Sequence, residues 1–210
     1  MTEHQTMNTI IHAALRRDLA RFDAALGTFA GSQQRADQLW TAWENYAHQL
    51  HQHHDDEETI FWPAMRELGV DESLVGDLDG EHQRMLGGLE AATAAMKALQ
   101  QGPTADNART ARESVGAFGA ILTEHLAHEE SDLEPFAATT LKGSAQGKAA
   151  GAAVRKAHQG QTGTFVAWLL DGADADARAG LSREIPAPVL FLINRVGGRD
   201  YRRRIAPVWS

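Results

Sequence analysis

Two stretches of this chain place charged and imidazole side chains where a helix core demands apolar ones. HHDDEETIFWP begins at His53 and HLAHEESDLEP at His125, both read H-x-x-x-E-E-x-x-x-x-P, and they stand 72 residues apart. Each lies in a row with steps of three and four, the period of one helix face. One row is Trp43, Tyr46, Leu50, His53, Glu57, Ile60 and Ala64; the other is Val115, Phe118, Leu122, His125, Glu129 and Phe136. An unpaired buried carboxylate is costly or takes up a proton, so two in one core call for a partner. A cation is the commonest one.

The other helical rows complete the fold class. Ile11, Leu15, Leu19, Phe22 and Leu26 mark a first helix over about 6–26, with Gly27 as its stop. The second runs over about 33–68 to Gly69, the third from about 71–73 to Gly102, and the fourth over about 105–136. No segment alternates with period two. Short connections between long amphipathic helices predict an all-α, up-down-up-down four-helix bundle. Its third helix carries Leu78, His82, Met85, Leu89 and Met96 on one stripe.

Charge divides the chain at the small-residue stretch KGSAQGKAAG, which reads as a linker or a helix start. Residues 1–141 carry 9 basic and 23 acidic side chains, and residues 142–210 carry 11 and 5. The expected division is therefore a bundle over 1–141 and a basic extension over 142–210, with short apolar helices near 164–170 and 188–196. A net charge of −8 argues against a nucleic-acid partner. The chain has no cysteine, which removes disulfides, thiolate metal sites and thiol catalysis. No apolar run approaches a membrane span, and the opening residues lack the pattern of a secretory signal. The expectation is a cytoplasmic protein.

His and Glu four apart lie on one helix face about a turn apart, and so converge on one point. The helix before each repeat adds one more inward histidine, His12 and His82. Facing hairpins would gather His12, His53, His82 and His125 with Glu57 and Glu129. Four imidazoles and two carboxylates fit two metal ions better than one, because a single octahedral ion would be closed. Zinc, with its preference for a closed four-ligand shell, suits such a mixed set less well.

The register has an alternative, since His54 and Glu58 also make HxxxE. His53–Glu57 is preferred because it shares the row of Leu50 and Ile60 and aligns with His125–Glu129. His48, His51 and His54 can then form an exposed patch. Asp55, Asp56, Glu58 and Glu130 read as solvated residues or as partners that orient imidazole N–H groups. His51 and His128 stand near the HxxxE pairs, and His4 and His158 read as unrelated surface residues. Tyr46, with Trp43, Trp62 and Phe118, reads as core, and Pro63 and Pro135 as bends just past the ligands. The arginines Arg195, Arg199, Arg202, Arg203 and Arg204 are expected to pair with carboxylates of the bundle; contacts with a second copy, an anionic membrane or a partner are the alternatives.

IHAALRRDL around His12, HHDDEETIFWP, EHQRMLGGL around His82 and EHLAHEESDLEP together resemble the hemerythrin-like, or HHE cation-binding, domain over residues 1 to about 140. That family is a four-helix bundle around a non-haem di-iron centre. The resemblance implies two iron ions, one served by His12 and His53, the other by His82 and His125. Glu57 and Glu129 would bridge them, beside an oxo, hydroxo or water ligand. The oxygen carriers of the family have a second histidine on the third helix, where this chain has Leu86. They also space the last histidine and carboxylate by five, which Glu130 would restore. One iron would then have a protein ligand fewer. The implied function is binding, sensing or reaction with O2, peroxide or nitric oxide, with peroxide breakdown as the candidate enzymatic activity. Alternatives are a regulatory module whose metal site switches the basic tail or an oligomer contact, and an iron-holding protein.

Overall fold

The computed structural model describes residues 6–209. Among them every regular element is helical. Helix α1 spans Met7–Gly27 and starts at Thr6, whose hydroxyl accepts from Thr9 N–H while the Thr9 hydroxyl accepts from Thr6 N–H. Helix α2 spans Gln33–Asp56, α3 Glu72–Gln101 and α4 Ala105–His128. Their N-caps, Ser32, Asp71 and Thr104, each accept a backbone N–H of the first turn. Gly69, at φ +83°, closes the second segment in a left-handed turn that a side chain would strain. The four long helices lie against one another in chain order, and α1 also lies against α4.

Helices α2 and α4 do not run on unbroken. Each passes into a π turn that begins at a glutamate of the repeated motif, Glu57–Phe61 and Glu129–Leu133. Trp62 N–H donates to Glu57 O and Glu134 N–H to Glu129 O, one residue further back than in an α-helix. Proline explains the widening. Pro63 and Pro135 have no N–H to give, and their rings would press on the carbonyl four residues earlier. The extra residue also slips the phase of the buried face. In α2 the row continues past Glu57 at Trp62 and Met65, not at the expected Ile60 and Ala64, which are half-buried. After Glu129 it continues at Leu133, and Phe136 is half-buried.

The core is divided. A large cluster holds Phe22, Trp43, Tyr46, Leu50, Met85, Phe118 and Leu122, and a small one holds Trp62, Met65, Val70, Val75, Leu78, Leu133 and Leu141. Phe22 and Phe118 meet the Trp43–Tyr46 pair edge-on, and Trp43 Nε1–H donates to the Thr93 hydroxyl over 3.0 Å. Along α2, α3 and α4, the histidines and glutamates of the motifs fall between the two clusters.

The C-terminal region packs onto the same large cluster through Val166, Trp168, Leu181, Tyr201, Ile205 and Val208. It contains α5 (Ala145–Ala157), α6 (Thr162–Leu170), α7 (Ala175–Glu184), α8 (Ala187–Leu192) and α9 (Arg199–Arg204). The stretch read as a linker or helix start is a turn followed by α5. Helices α5, α7 and α9 were not apparent from hydrophobic pattern, since they are short and present few apolar residues. Trp168 Nε1–H donates to buried Asp18 of α1 over 2.7 Å. Gly163 of α6 and Gly197 pack backbone to backbone, so close that a Cβ on Gly163 would run into the Gly197 backbone.

The tail arginines do not pair with the carboxylates of the long helices, as charge alone suggested. Arg203 and Arg204 bond Asp200 at 3.3 Å, and Arg202 bonds the Asn194 side chain and the Arg195 carbonyl. One inter-region ion pair runs the other way: Arg21 of α1 holds Asp171 over 3.1 Å, and Tyr201 Oη–H donates to the same carboxylate. No helix among the described residues is long and apolar enough to cross a membrane.

Candidate metal centre

The layer between the two clusters gathers all six residues singled out from the sequence, and a seventh. His12, His53, Glu57 and Glu129 present ligand atoms within 4.8 Å of one another, and so do His54, Glu57, His82 and His125. The imidazoles converge in pairs, with His12 Nε2 3.1 Å from His53 Nε2 and His82 Nε2 3.1 Å from His125 Nε2. Glu57 spans the groups: one oxygen lies 3.3 Å from His53 Nε2 and the other 3.7 Å from His82 Nε2. Glu129 Oε2 stands 3.3 Å from His12 Nε2 and 3.8 Å from His125 Nε2. Each carboxylate thus sits between an imidazole of one group and an imidazole of the other.

Carboxylates behind the imidazoles fix their tautomers. With a carboxylate acceptor behind it, a ring carries its proton on Nδ1 and turns the Nε2 lone pair inward. His12 Nδ1–H donates to Glu130 Oε1 over 2.9 Å, His82 Nδ1–H to Glu58 Oε1 over 2.6 Å, and His125 Nδ1–H to Glu81 Oε2 over 2.9 Å. Glu58 and Glu130 are themselves 72 residues apart, so the repeat carries its supporting residues along with its inward ones. The two supports differ in one respect. Arg16 clamps Glu130 with both terminal nitrogens, at 2.6 and 3.0 Å, while Glu58 has no arginine partner among the described residues.

The inward atoms lack partners. His54 Nε2, Glu57 Oε2 and both oxygens of Glu129 are buried and make no hydrogen bond. Native interiors rarely leave such atoms orphaned, since each costs its full desolvation. A donor set of imidazole nitrogen and carboxylate oxygen, held to face one small space, fits first-row transition metals.

The electrostatics point the same way. Burial, followed by the neighbouring imidazoles, pushes His53 and His54 well below the usual histidine range. Burial and then the nearby Glu129 push Glu57 well above the usual carboxylate range. Burial acts against the charge on Glu129 as well, but His12, His125 and His53 outweigh it and bring the group to about 2. His12 is raised: burial opposes its charge, and Glu129 and Glu130 together overcome that. Glu57 thus favours its protonated form beside an ionised Glu129, where a cation could replace the proton.

His54 is the residue that the helical rows missed as an addition. It was weighed as a replacement for His53, or as part of an exposed patch with His48 and His51. Instead both adjacent histidines turn inward. The His54 ring stacks on His82 with centroids 4.0 Å apart, and Trp62 stacks on the opposite face of the layer at 4.8 Å from His82. In a straight helix neighbours diverge by about 100°, but the widened turn starts three residues on, and Glu57 N–H is shared between the carbonyls of His53 and His54. The signal in the sequence was the HH pair followed by E and then P. At the group with His82 and His125, where Leu86 offers no ligand atom, α2 brings a His54 nitrogen instead. Leu86 is exposed and lines, with His51, His54, His82 and Met85, a cavity of about 20 Å³, room for roughly one water.

The remaining candidates lie apart. Glu81 accepts from His128 as well as from His125. His48 bonds the Gln161 side chain, and His158 bonds Asp56. Tyr46 is buried in the aromatic cluster with its hydroxyl unpartnered. His4 lies outside the described residues.

No curated protein and no solved structure was found to match the chain. The family described as the hemerythrin HHE cation binding domain matches residues 9–137, which span α1 to the turns after α4 and hold every residue of both ligand groups. The chain belongs to the hemerythrin HHE cation-binding family.

Proposed function

We propose that the four long helices form an up-down-up-down bundle whose polar layer holds two non-haem iron ions, and that this pair binds and reacts with O2, peroxide or nitric oxide. The observation that carries the reading is the division of labour on each ring: Nδ1–H on His12, His82 and His125 is held by a carboxylate while Nε2 faces the unpartnered oxygens of Glu57 and Glu129. His12 and His53 would hold one ion, His54, His82 and His125 the other, and Glu57 and Glu129 would bridge them. Bound iron would supply Lewis acidity and one-electron redox chemistry, with an oxo, hydroxo or water bridge between the ions.

The residues themselves do the positioning. Glu130, braced by Arg16, keeps the His12 ring from turning its N–H inward. Glu58 and Glu81 do the same for His82 and His125. The two apolar clusters above and below exclude bulk water from the layer. The group with His12 and His53 has two imidazoles against three in the other, so an ion held there would keep more capacity for a small ligand.

The enzymatic version of this reading is peroxide decomposition. Iron-loaded protein should consume peroxide steadily, and Glu57→Ala should not. Turnover no greater than that of the same amount of free iron would overturn the enzymatic version and leave binding or sensing. A second reading, in which the centre signals to the C-terminal region, rests on Asp56, next to Glu57, which accepts from His158 Nε2–H at 2.8 Å. It predicts that proteolysis near His158 differs between the diiron(II) and diiron(III) forms. Equal cleavage rates would remove it.

A further inference from the structure

Six large apolar side chains are exposed among the described residues, and four of them fall within eight positions of the C-terminal region. Phe191 is 68% exposed, Leu192 60%, Val196 54% and Val189 47%. Pro186, Ala187 and Pro188 beside them are exposed too, so the patch is continuous. Scattered apolar residues need no explanation on a protein surface, but a contiguous cluster does. Leu190 between them is buried, which anchors the segment while its other side faces out.

Arg195 stands within this apolar tip and Arg199 follows it, while Arg203 and Arg204 lie against Gln33, Asp37 and Thr41 of α2. Residues 185–209 contain five arginines and one acidic residue, Asp200, which Arg203 and Arg204 already share. Arg195 and Arg199 are exposed and have no carboxylate partner among the described residues. Arg202 ties α9 back to Asn194 and Arg195, so the basic helix and the apolar one form one surface. The Gly163–Gly197 contact and the buried Gly198 seat that surface on α6.

We propose that this surface attaches the protein reversibly to an anionic phospholipid bilayer. Phe191, Leu192, Val189 and Val196 would enter the boundary between headgroups and acyl chains, with Arg195 and Arg199 on lipid phosphates. Short amphipathic segments lie in that boundary by this combination of apolar insertion and basic attraction. Charge settles the choice of occupant. A symmetric contact between two copies would set the exposed Arg195 and Arg199 of each against those of the other, with only Asp200, already shared by Arg203 and Arg204, to relieve them. Docking on the acidic long helices of a second copy would satisfy the arginines, yet only Leu86 and Ile121 are exposed there to meet four apolar side chains. A bilayer offers both chemistries together. The acidic first 141 residues would be turned away from the same surface.

The test is co-sedimentation of the full, iron-loaded chain with vesicles of phosphatidylcholine alone or with about 30% phosphatidylglycerol. Binding should be at least about tenfold tighter to the anionic vesicles and should weaken as salt rises. Phe191→Ser with Leu192→Ser, and separately Arg195→Gln with Arg199→Gln, should each lower binding about tenfold or more at unchanged melting temperature, because all four side chains are exposed. Equal binding to both vesicle types, or binding that survives both double variants, overturns the proposal. So does a wild-type dimer that becomes a monomer in the Phe191→Ser, Leu192→Ser protein, which would make the patch a contact between copies.

Discussion

His54 lies nearly parallel to His82, ring centroids 4.0 Å apart and planes inclined by 23°, with its Nε2 buried and unpaired. The stack brings a fifth imidazole to a layer for which the helical rows account for four. It also makes His53 and His54 members of different ligand groups, although they are neighbours in the chain.

Replacing His54 by alanine should therefore lower iron content from about two to about one per chain, and His53→Ala should do the same at the other ion. Metal analysis of protein purified without a histidine tag checks both. If His54→Ala keeps both ions, the stack is packing alone.

Glu130→Gln would leave His12 without an anionic acceptor for its Nδ1–H. Loss of such a support weakens metal affinity by about 10–100-fold. Arg16→Gln should produce a smaller loss in the same direction, because Arg16 acts on His12 only through Glu130. Competitive titration with a chelator would rank them, and an Arg16 effect exceeding that of Glu130 would contradict the chain of contacts.

Glu57 is buried beside Glu129, and both carry unpartnered oxygens. Metal removal should lower the melting temperature, since a ligand at a hundredfold excess over its Kd stabilises by about 2.7 kcal/mol. Glu57→Gln should reverse the ranking: the metal-free variant should melt above metal-free wild type, and added iron should raise it less. Calorimetry on the four samples reads this directly.

A pH effect is expected where α1 meets α4. Arg112 bonds both oxygens of Asp23, at 2.7 and 3.0 Å, and the resulting hydrogen bonds hold the carboxyl below its ordinary value of 3.8. A carboxyl depressed in the folded state stabilises above its unfolded value, and that contribution fades as pH falls through the folded one. Asp23→Asn should thus be slightly less stable than wild type at pH 7 and indistinguishable well below pH 3.8. Both residues are exposed, so high salt should shrink the difference at pH 7. Denaturant melts at the two pH values measure it.

Gly163→Ala would place a methyl group where the Gly197 backbone already stands. Overpacking of this kind costs about 1–3 kcal/mol. The cost should appear locally, as faster amide exchange in α6, α8 and α9, while α3 and α4 exchange as before. Uniform acceleration across the chain would show that the C-terminal region and the long helices open as one unit.

The sequence made the four long helices legible because their apolar residues keep a helical period and their ends carry Ser32, Asp71, Thr104 and Gly69. The inward His and Glu residues were legible for the same reason, standing as polar exceptions on apolar rows. The π turns were not. Pro63 and Pro135 signalled a disturbance, but the slip that buries Trp62 in place of Ile60, and turns His54 inward with His53, depends on how the backbone accommodates the ring. In the C-terminal region the short helices depend on contacts such as Trp168 with Asp18 and Gly163 with Gly197. Those contacts join residues distant in sequence and leave no periodic trace.

The polar layer also sets how the protein comes apart. Trp62, Met65, Val70, Val75, Leu78, Leu133 and Leu141 are cut off from the large apolar cluster by imidazoles and carboxylates, several of whose inward atoms have no partner without a cation. Apolar contact cannot transmit cooperativity across such a seam. With ions in place, ligands drawn from all four long helices join the halves, and melting should be a single transition. Without them, the end of the molecule around Trp62 is free to loosen first, so metal supply governs whether this chain unfolds in one step or in two.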